Sequence, residues 1–402
     1  MLRDDGVRVE EEHVRGGAVE EQASLWRSPA MRALVGLTVL GFASYSLTLA
    51  SLPAYAVAGG ARESTAGIVT AVLLGVTIAV QSVVPVLTAR LGQARVLVIG
   101  LIALGAPAPL YAVDDGLLWL SVLSAVRGVG FAVLTVLGAT LAAQAAPVER
   151  RGEAIGIYGL AIAIPNLIAV PAGVALILDG HSTWLAWLAA SPLLGVLLVP
   201  ALVRALPAQE VRGPAGAGRV AARAALLPSV VLFVVTLAGG GVVTFLPIER
   251  PDGAVATTAL LLFGVTGALT RWRAGLLADR LGGSRRLLPL ALGLSAVGLA
   301  LVAAGLVGGN ALVLGGAAVF GAGFGAVQNL TLLAAFMRAG EGEATSASAM
   351  WNASFDAGTA AGALGLGLLA AMIGLSWTYV LVAVLLAVLL PLAVAAAGPP
   401  RT

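Results

Sequence analysis

Cysteine is absent from the chain, so disulfides, thiolate metal ligands and thiol nucleophiles are excluded. Lysine is absent too, and all 23 basic side chains are arginine. In a sequence so rich in Ala, Gly and Val, we read that as the bias of a GC-rich coding sequence. Charge is scarce, at 11% of 402 residues, against about 25% in soluble domains. The two histidines, His13 and His181, stand isolated and point to no metal site. The formal charge of +3 is spread over loop arginines and leaves no footprint for nucleic acid. Residues 1–27 begin with Asp4, Asp5, Glu10, Glu11 and Glu12 and lack an apolar core. A disordered, uncleaved cytoplasmic tail is therefore expected there.

What the sequence has in excess is hydrophobic length. Of its residues 59% are hydrophobic, and runs of about 20 apolar residues recur, each long enough to cross a hydrocarbon layer of ~30 Å. The expected spans are 31–56, 64–88, 95–113, 117–141, 152–178, 183–203, 226–248, 254–273, 285–307, 311–336, 345–372 and 376–397. This is an all-α polytopic membrane protein of twelve helices, to be placed in a lipid bilayer.

The loops alternate in charge. One set holds Arg90, Arg95, Arg150, Arg151, Arg204, Arg212, Arg219, Arg223, Arg271, Arg273, Arg280, Arg285, Arg286 and Arg338. The other holds only Arg62 and Arg250, with Glu63, Asp114, Asp115, Asp179, Glu249 and Asp252. By the positive-inside rule the first set, and both termini, are expected in the cytoplasm. The segment 205–225 carries Pro207, Gly213, Pro214, Gly216 and Gly218 and reads as a central cytoplasmic linker between two six-helix bundles, 28–204 and 226–397.

The two bundles repeat one another. Leu52-Pro53 recurs as Leu246-Pro247 at an offset of 194, Ala89-Arg90-Leu91-Gly92 as Asp279-Arg280-Leu281-Gly282 at 190, and Gly128-Val129-Gly130-Phe131 as Gly321-Ala322-Gly323-Phe324 at 193. Parallel repeats of this kind place a substrate site near the midplane, between halves that rock against each other.

The twelve-helix plan, the loop Gly275-Leu276-Leu277-Ala278-Asp279-Arg280-Leu281-Gly282 and the helix 4 sequence Arg127-Gly128-Val129-Gly130 resemble the major facilitator superfamily, most closely its drug- and metabolite-efflux branch. The resemblance covers about residues 28–397 and implies alternating-access transport rather than catalysis. It implies no cofactor, with a proton gradient as energy source, a small-molecule substrate, a monomer, and a bacterial-type cytoplasmic membrane. The helix 2–3 loop departs from the family pattern, with Pro85 for Gly and Ala89 for Asp. Helix 5 keeps only Pro171 and a displaced glycine, Gly173, of the antiporter pattern. By the resemblance and the repeat together, Asp279 should meet the start of helix 5 near Arg150 and Arg151, where a helix N-terminus favours an anion. Arg90 of the twin loop should reach toward Glu341 or Glu343. Gly275, Asp279, Arg280, Gly282 and Arg90 thus form the expected gating loops.

Two charges fall at mid-depth. Arg127 is about ten residues into helix 4, roughly 15 Å along its axis. It would either face the cavity as a substrate-orienting cation or tie backbone carbonyls together. Asp356 lies about as deep in helix 11. Burial favours the neutral form of an acid and a nearby arginine the charged form, a balance suited to a proton carrier; the plainer alternative is a helix-packing acid beside Trp351. Tyr45, Gln81, Tyr158, Asn166, Thr244, Gln328, Asn329, Trp351 and Asn352 complete the candidate cavity, together with Ser44, Ser46 and Thr48. Each could contact an amphipathic ligand or simply bond one helix to another. Pro165 and Pro171 are expected to bend helix 5. Gly321–Gly325 and the GxxxG of Gly358 and Gly362 read as helix packing rather than a nucleotide loop. The leading functional reading is a proton-coupled exporter of a small amphipathic compound. An importer or facilitator of a small solute or anion is the alternative, and a non-transporting receptor or scaffold the remote one.

Overall fold

The computed structural model describes residues 24–206, 217–249, 254–340 and 342–397. Arg212, Arg250, Asp252, Glu341 and the expected tail up to residue 23 lie outside the described residues. Residues Leu25–Arg27, assigned above to that tail, form a turn of 3-10 helix with Leu25 buried against the core.

All regular structure among the described residues is helical. We label the spans α1 (Pro29–Ala58), α2 (Ile68–Gln81 with Val84–Leu91), α3 (Gln93–Ala112), α4 (Leu117–Gln144), α5 (Arg151–Leu178) and α6 (Ser182–Ala205). The second six are α7 (Ala217–Glu249), α8 (Ala254–Arg280), α9 (Leu287–Gly308), α10 (Asn310–Ala339), α11 (Ala344–Ile373) and α12 (Leu375–Val388 with Leu390–Ala396). Among the described residues, ten helices are long and apolar enough to cross a membrane by themselves, and twelve if the bent pairs of α2 and α12 each count as one span.

Proline sets the breaks. The two pieces of α2 meet at 56°, with Pro85 in the first turn of the second piece, and those of α12 at 45°, ahead of Pro391. A ring nitrogen has no proton to donate, and the first turn is where its loss costs nothing. Pro192 and Pro200 likewise open the later segments of α6. Helix α5, by contrast, runs as one helix through Pro165 and Pro171.

Two boundaries differ from the sequence expectation. Helix α7 begins at Ala217, inside the segment read as linker, because Arg219 to Ala225 are good helix formers whose buried members, Ala221 and Ala225, already pack inward. Helix α8 continues to Arg280, so Arg271 and Arg273 are helical rather than loop residues.

The repeat has a packing reason. A Cβ at Gly128 would overlap the Leu73 carbonyl of α2, and one at Gly130 would overlap the backbone of α3 at Gly100 and Leu104. The equivalent glycines of α10 behave alike: Gly321 lies on Phe263 of α8 and Gly323 on Ser295 of α9. One glycine of each pair thus admits the preceding even-numbered helix, and the next admits its neighbour. Threonines reinforce these contacts: Thr77 donates to Gly128 O at 3.1 Å, Thr266 to Ala318 O at 2.9 Å and Thr270 to Ala322 O at 2.7 Å. Such bonds contribute about 0.6 kcal/mol each in a bilayer.

Candidate functional site

The phenylalanine that closes each glycine motif belongs to an aromatic group at the boundary between bundles. Phe131 stacks on Tyr45 of α1 with ring centroids 3.9 Å apart, and Phe42 meets Phe131 edge-on at 5.4 Å. Across the boundary, Phe324 contacts Phe263 at 5.0 Å and Phe355 at 6.5 Å, while Trp351 stacks on Phe355 at 5.8 Å. Tyr45, Phe324 and Phe355 are each partly exposed.

Between these groups, Asp356 of α11 accepts a hydrogen bond of 2.7 Å from Gln81 Nε2 of α2. Gln81 is fully buried, its Nε2 also lies 3.4 Å from Thr135 Oγ1, and its Oε1 has no protein partner. The pair joins one bundle to the other.

Further bonds between bundles lie between Asp356 and the arginine-rich end. Asn352 Nδ2 reaches Thr135 O at 3.4 Å and Ser348 Oγ donates to Val136 O at 2.8 Å. Asn329 Nδ2 donates to Gly152 O at 3.1 Å. Asp279 accepts from Gly152 N at 3.1 Å and from Glu153 N at 2.7 Å. Its carboxylate thus caps the first turn of α5, where free N–H groups and the helix dipole favour an anion. Gly275 makes the approach possible, since a Cβ there would overlap the Gly152 carbonyl. Arg280 and the left-handed Gly282, with φ of 70°, end the helix. The molecule is therefore latched shut at its arginine-rich end.

Among the described residues, which do not include Glu341, the twin loop forms no such latch. Arg90 is exposed and makes no ion pair among the described residues, while Glu343 accepts from Ser346 Oγ at 3.1 Å. With Ala89 in place of an acid, nothing in this loop can cap α11.

Arg127 corrects the cavity-facing expectation. It is 0% exposed, and its guanidinium is consumed within the first bundle. Nε donates to Leu104 O at 2.9 Å, one terminal nitrogen to Thr48 Oγ1 at 2.9 Å and Tyr111 Oη at 3.4 Å, and the other to Ser44 O at 3.1 Å and Ser44 Oγ at 2.8 Å. A buried cation needs such compensation, and here it ties α1, α3 and α4 together. Ser44 and Thr48 are likewise part of this tie rather than of the cavity.

The cation that sequence reasoning missed is Arg271 of α8, 8% exposed. One terminal nitrogen donates to Gln328 Oε1 at 2.9 Å, Nε has no protein acceptor, and no carboxylate pairs with it among the described residues. Its guanidinium lies against Gly159 of α5. The signal lay in the repeat: at the loop offset of 190, Arg271 falls on Gln81, and at the glycine-motif offset of 193, Gln328 falls on Thr135. Two equivalent polar pairs thus stand one in each bundle.

The other candidates scatter. Tyr158 Oη reaches Thr135 O at 3.4 Å, and Trp351 Nε1 donates to Thr331 Oγ1 at 3.0 Å. Asn166 accepts from Ser46 within the first bundle. Thr244 sits half-buried near the far end of α7, away from Asp356 and Arg271 along the chain.

Two pseudo-equivalent helical bundles that meet over a polar, aromatic-walled midplane and close at one end fit a membrane transporter. Residues 34–363 match the profile of the Major Facilitator Superfamily, and the chain belongs to that family of membrane transporters. Its fold is similar to that of the E. coli fucose:proton symporter FucP in a single-residue variant, with a TM-score of 0.70 at 18% identity over 93% of this chain and 100% of that one. FucP in its outward conformation gives 0.72 at 17% identity, covering 94% and 100%. The human organic anion transporter MFSD10 (TETRAN) gives 0.73 at 17% identity, covering 92% and 100%. No curated protein sequence matches the chain.

Proposed function

We propose that the chain is a proton-coupled exporter of a small amphipathic organic compound, working by alternating access in a bacterial-type cytoplasmic membrane with both termini cytoplasmic. The observation that carries the coupling is the 2.7 Å bond from Gln81 to Asp356 across the bundle boundary. An ionised carboxylate accepts such a bond roughly twice as strongly as a neutral group. Protonating Asp356 therefore weakens a contact that exists only while the bundles are closed at this depth, and opening them changes the acid's surroundings in return. Proton occupancy and rocking are thus linked through one side chain. The aromatic groups around Tyr45 and Phe355 suit a flat apolar body, and the few polar groups between them would orient it.

In everted membrane vesicles carrying a preformed proton gradient, addition of a transported dye or antibiotic should partly collapse the gradient. Asp356→Asn should abolish that response. A panel member whose coupled transport survives in Asp356→Asn would remove Asp356 as the proton site.

Arg271 favours a second reading, in which the substrate is an organic anion and the direction of transport is open. A deeply buried guanidinium with unmet donors is costly unless a ligand or water completes it. An anionic group brought to Gln328 and Arg271 would do so. Arg271→Gln should then weaken binding of anionic panel members selectively, whereas equal effects on neutral and anionic compounds would argue for a structural cation.

A further inference from the structure

A groove of about 590 Å³ runs along the outside of the first bundle, between α3 and α6. Its walls are Val98, Ile99, Val196, Val199, Pro200 and Val203, with Arg95 and Arg204 also lining it. Arg95 lies in the first turn of α3 and Arg204 in the last turn of α6, so both cations stand at the arginine-rich end and the apolar walls extend toward the bilayer centre. Ile99 and Val203 are exposed, at 52% and 42%. Neither arginine meets a carboxylate among the described residues. Both walls belong to the first bundle, whose partner bundle meets it elsewhere, through α2, α4 and α5.

We propose that this groove is a binding site for an anionic phospholipid, with an acyl chain along Val98, Ile99 and Val203 and the phosphate between Arg95 and Arg204. Charge complementarity and depth select this occupant. An apolar trough within the hydrocarbon layer is filled by lipid tails, and an unpaired arginine pair at its interfacial end favours a negative headgroup over a zwitterionic one. The broken course of α6 shapes the trough, since Pro200 forms part of its wall.

The test uses the purified full chain and phosphatidylglycerol or phosphatidylcholine with identical acyl chains, with bound lipid counted by native mass spectrometry. Each arginine near a membrane surface contributes roughly a fivefold preference for anionic lipid, so the pair should give about 30-fold. Arg95→Gln with Arg204→Gln should bring the ratio close to unity while leaving lipid-free thermal stability unchanged. Ile99→Trp, which fills the trough and keeps both cations, should release the tightly held lipid whatever its headgroup. Glycerol phosphate without acyl chains should not compete. Equal retention of the two lipids by the unmodified chain would overturn the proposal. So would an undiminished preference in the double variant, or full competition by glycerol phosphate.

Discussion

The latch at Asp279 can be tested quantitatively. Its carboxylate accepts from Gly152 N and Glu153 N at 3.1 and 2.7 Å. Hydrogen bonds to a charged group contribute about 1.5–3 kcal/mol each, and an anion at a helix N-terminus adds about 0.3–1 kcal/mol. Asparagine offers one neutral acceptor, so Asp279→Asn forfeits one bond, weakens the other and loses the dipole interaction, about 3 kcal/mol before screening. Asp279 is partly exposed, and solvent screening reduces that to about 1.5–2 kcal/mol, roughly a 10–30-fold shift toward opening at the arginine-rich end. The cysteine-free chain makes the assay direct. Ser348 is fully buried and donates to Val136 O across the boundary, so Ser348→Cys places a lone thiol where a maleimide reacts only when the bundles part. The labelling rate should rise roughly 10–30-fold on adding Asp279→Asn and stay near its starting value with Asp279→Glu, while substrate affinity changes little. A rate within about twofold of the starting one would refute the latch, and a large loss of affinity would place the loop in the substrate site instead.

Other outcomes follow from the same geometry. Gly275→Ala sets a methyl into the Gly152 carbonyl and should speed Ser348→Cys labelling at least as much as the loss of the Asp279 charge, with unchanged yield of folded protein. Arg127→Met removes five bonds from the tie between α1, α3 and α4. Orphaned acceptors should cost about 3–5 kcal/mol, read as a large fall in the thermal midpoint of purified protein. Gln81→Leu deletes the donor to Asp356 and should leave substrate binding measurable while reducing the protons moved per substrate in vesicles.

The fold was legible because hydropathy, charge alternation and the repeat all report on long periodic segments. Asp279 at the start of α5 was legible too, through the resemblance of its loop to the family pattern taken together with the repeat. Side-chain direction was not. Depth along a helix gives no azimuth, and the exposed face of α4 near Arg127, with Val122 and Val126, is as apolar as its buried face, so no apolar stripe told which way that arginine turns. Arg271 escaped for a different reason: the apolar run fades at Arg271, Trp272 and Arg273, which reads as a span ending, yet the helix continues to Arg280. The bond from Gln81 to Asp356 joins residues far apart in sequence, and only the tertiary arrangement brings them together.

The two halves share a backbone plan and have diverged in charge at matching places, and the divergence has a direction. At the loop position the second half keeps Asp279 while the first has Ala89; at the midplane the second half holds Arg271 against Gln328 while the first holds Gln81 against Thr135. Asp356 on α11 belongs to the second half as well. The first half instead locks its one deep arginine into backbone carbonyls and hydroxyls. At the midplane the charges near the boundary, Asp356 and Arg271, thus travel with one bundle, and what the other presents to them is neutral: Gln81 to Asp356 and Gly159 to Arg271. In the proposed cycle, bonds of that kind can form and break without stranding a bare charge on the neutral side, which would cost several kcal/mol in a low-dielectric setting. On the proposed function, such a boundary parts at its latched end while Asp356 and Arg271 stay together in one body, open to a proton or an anion arriving from whichever side is exposed.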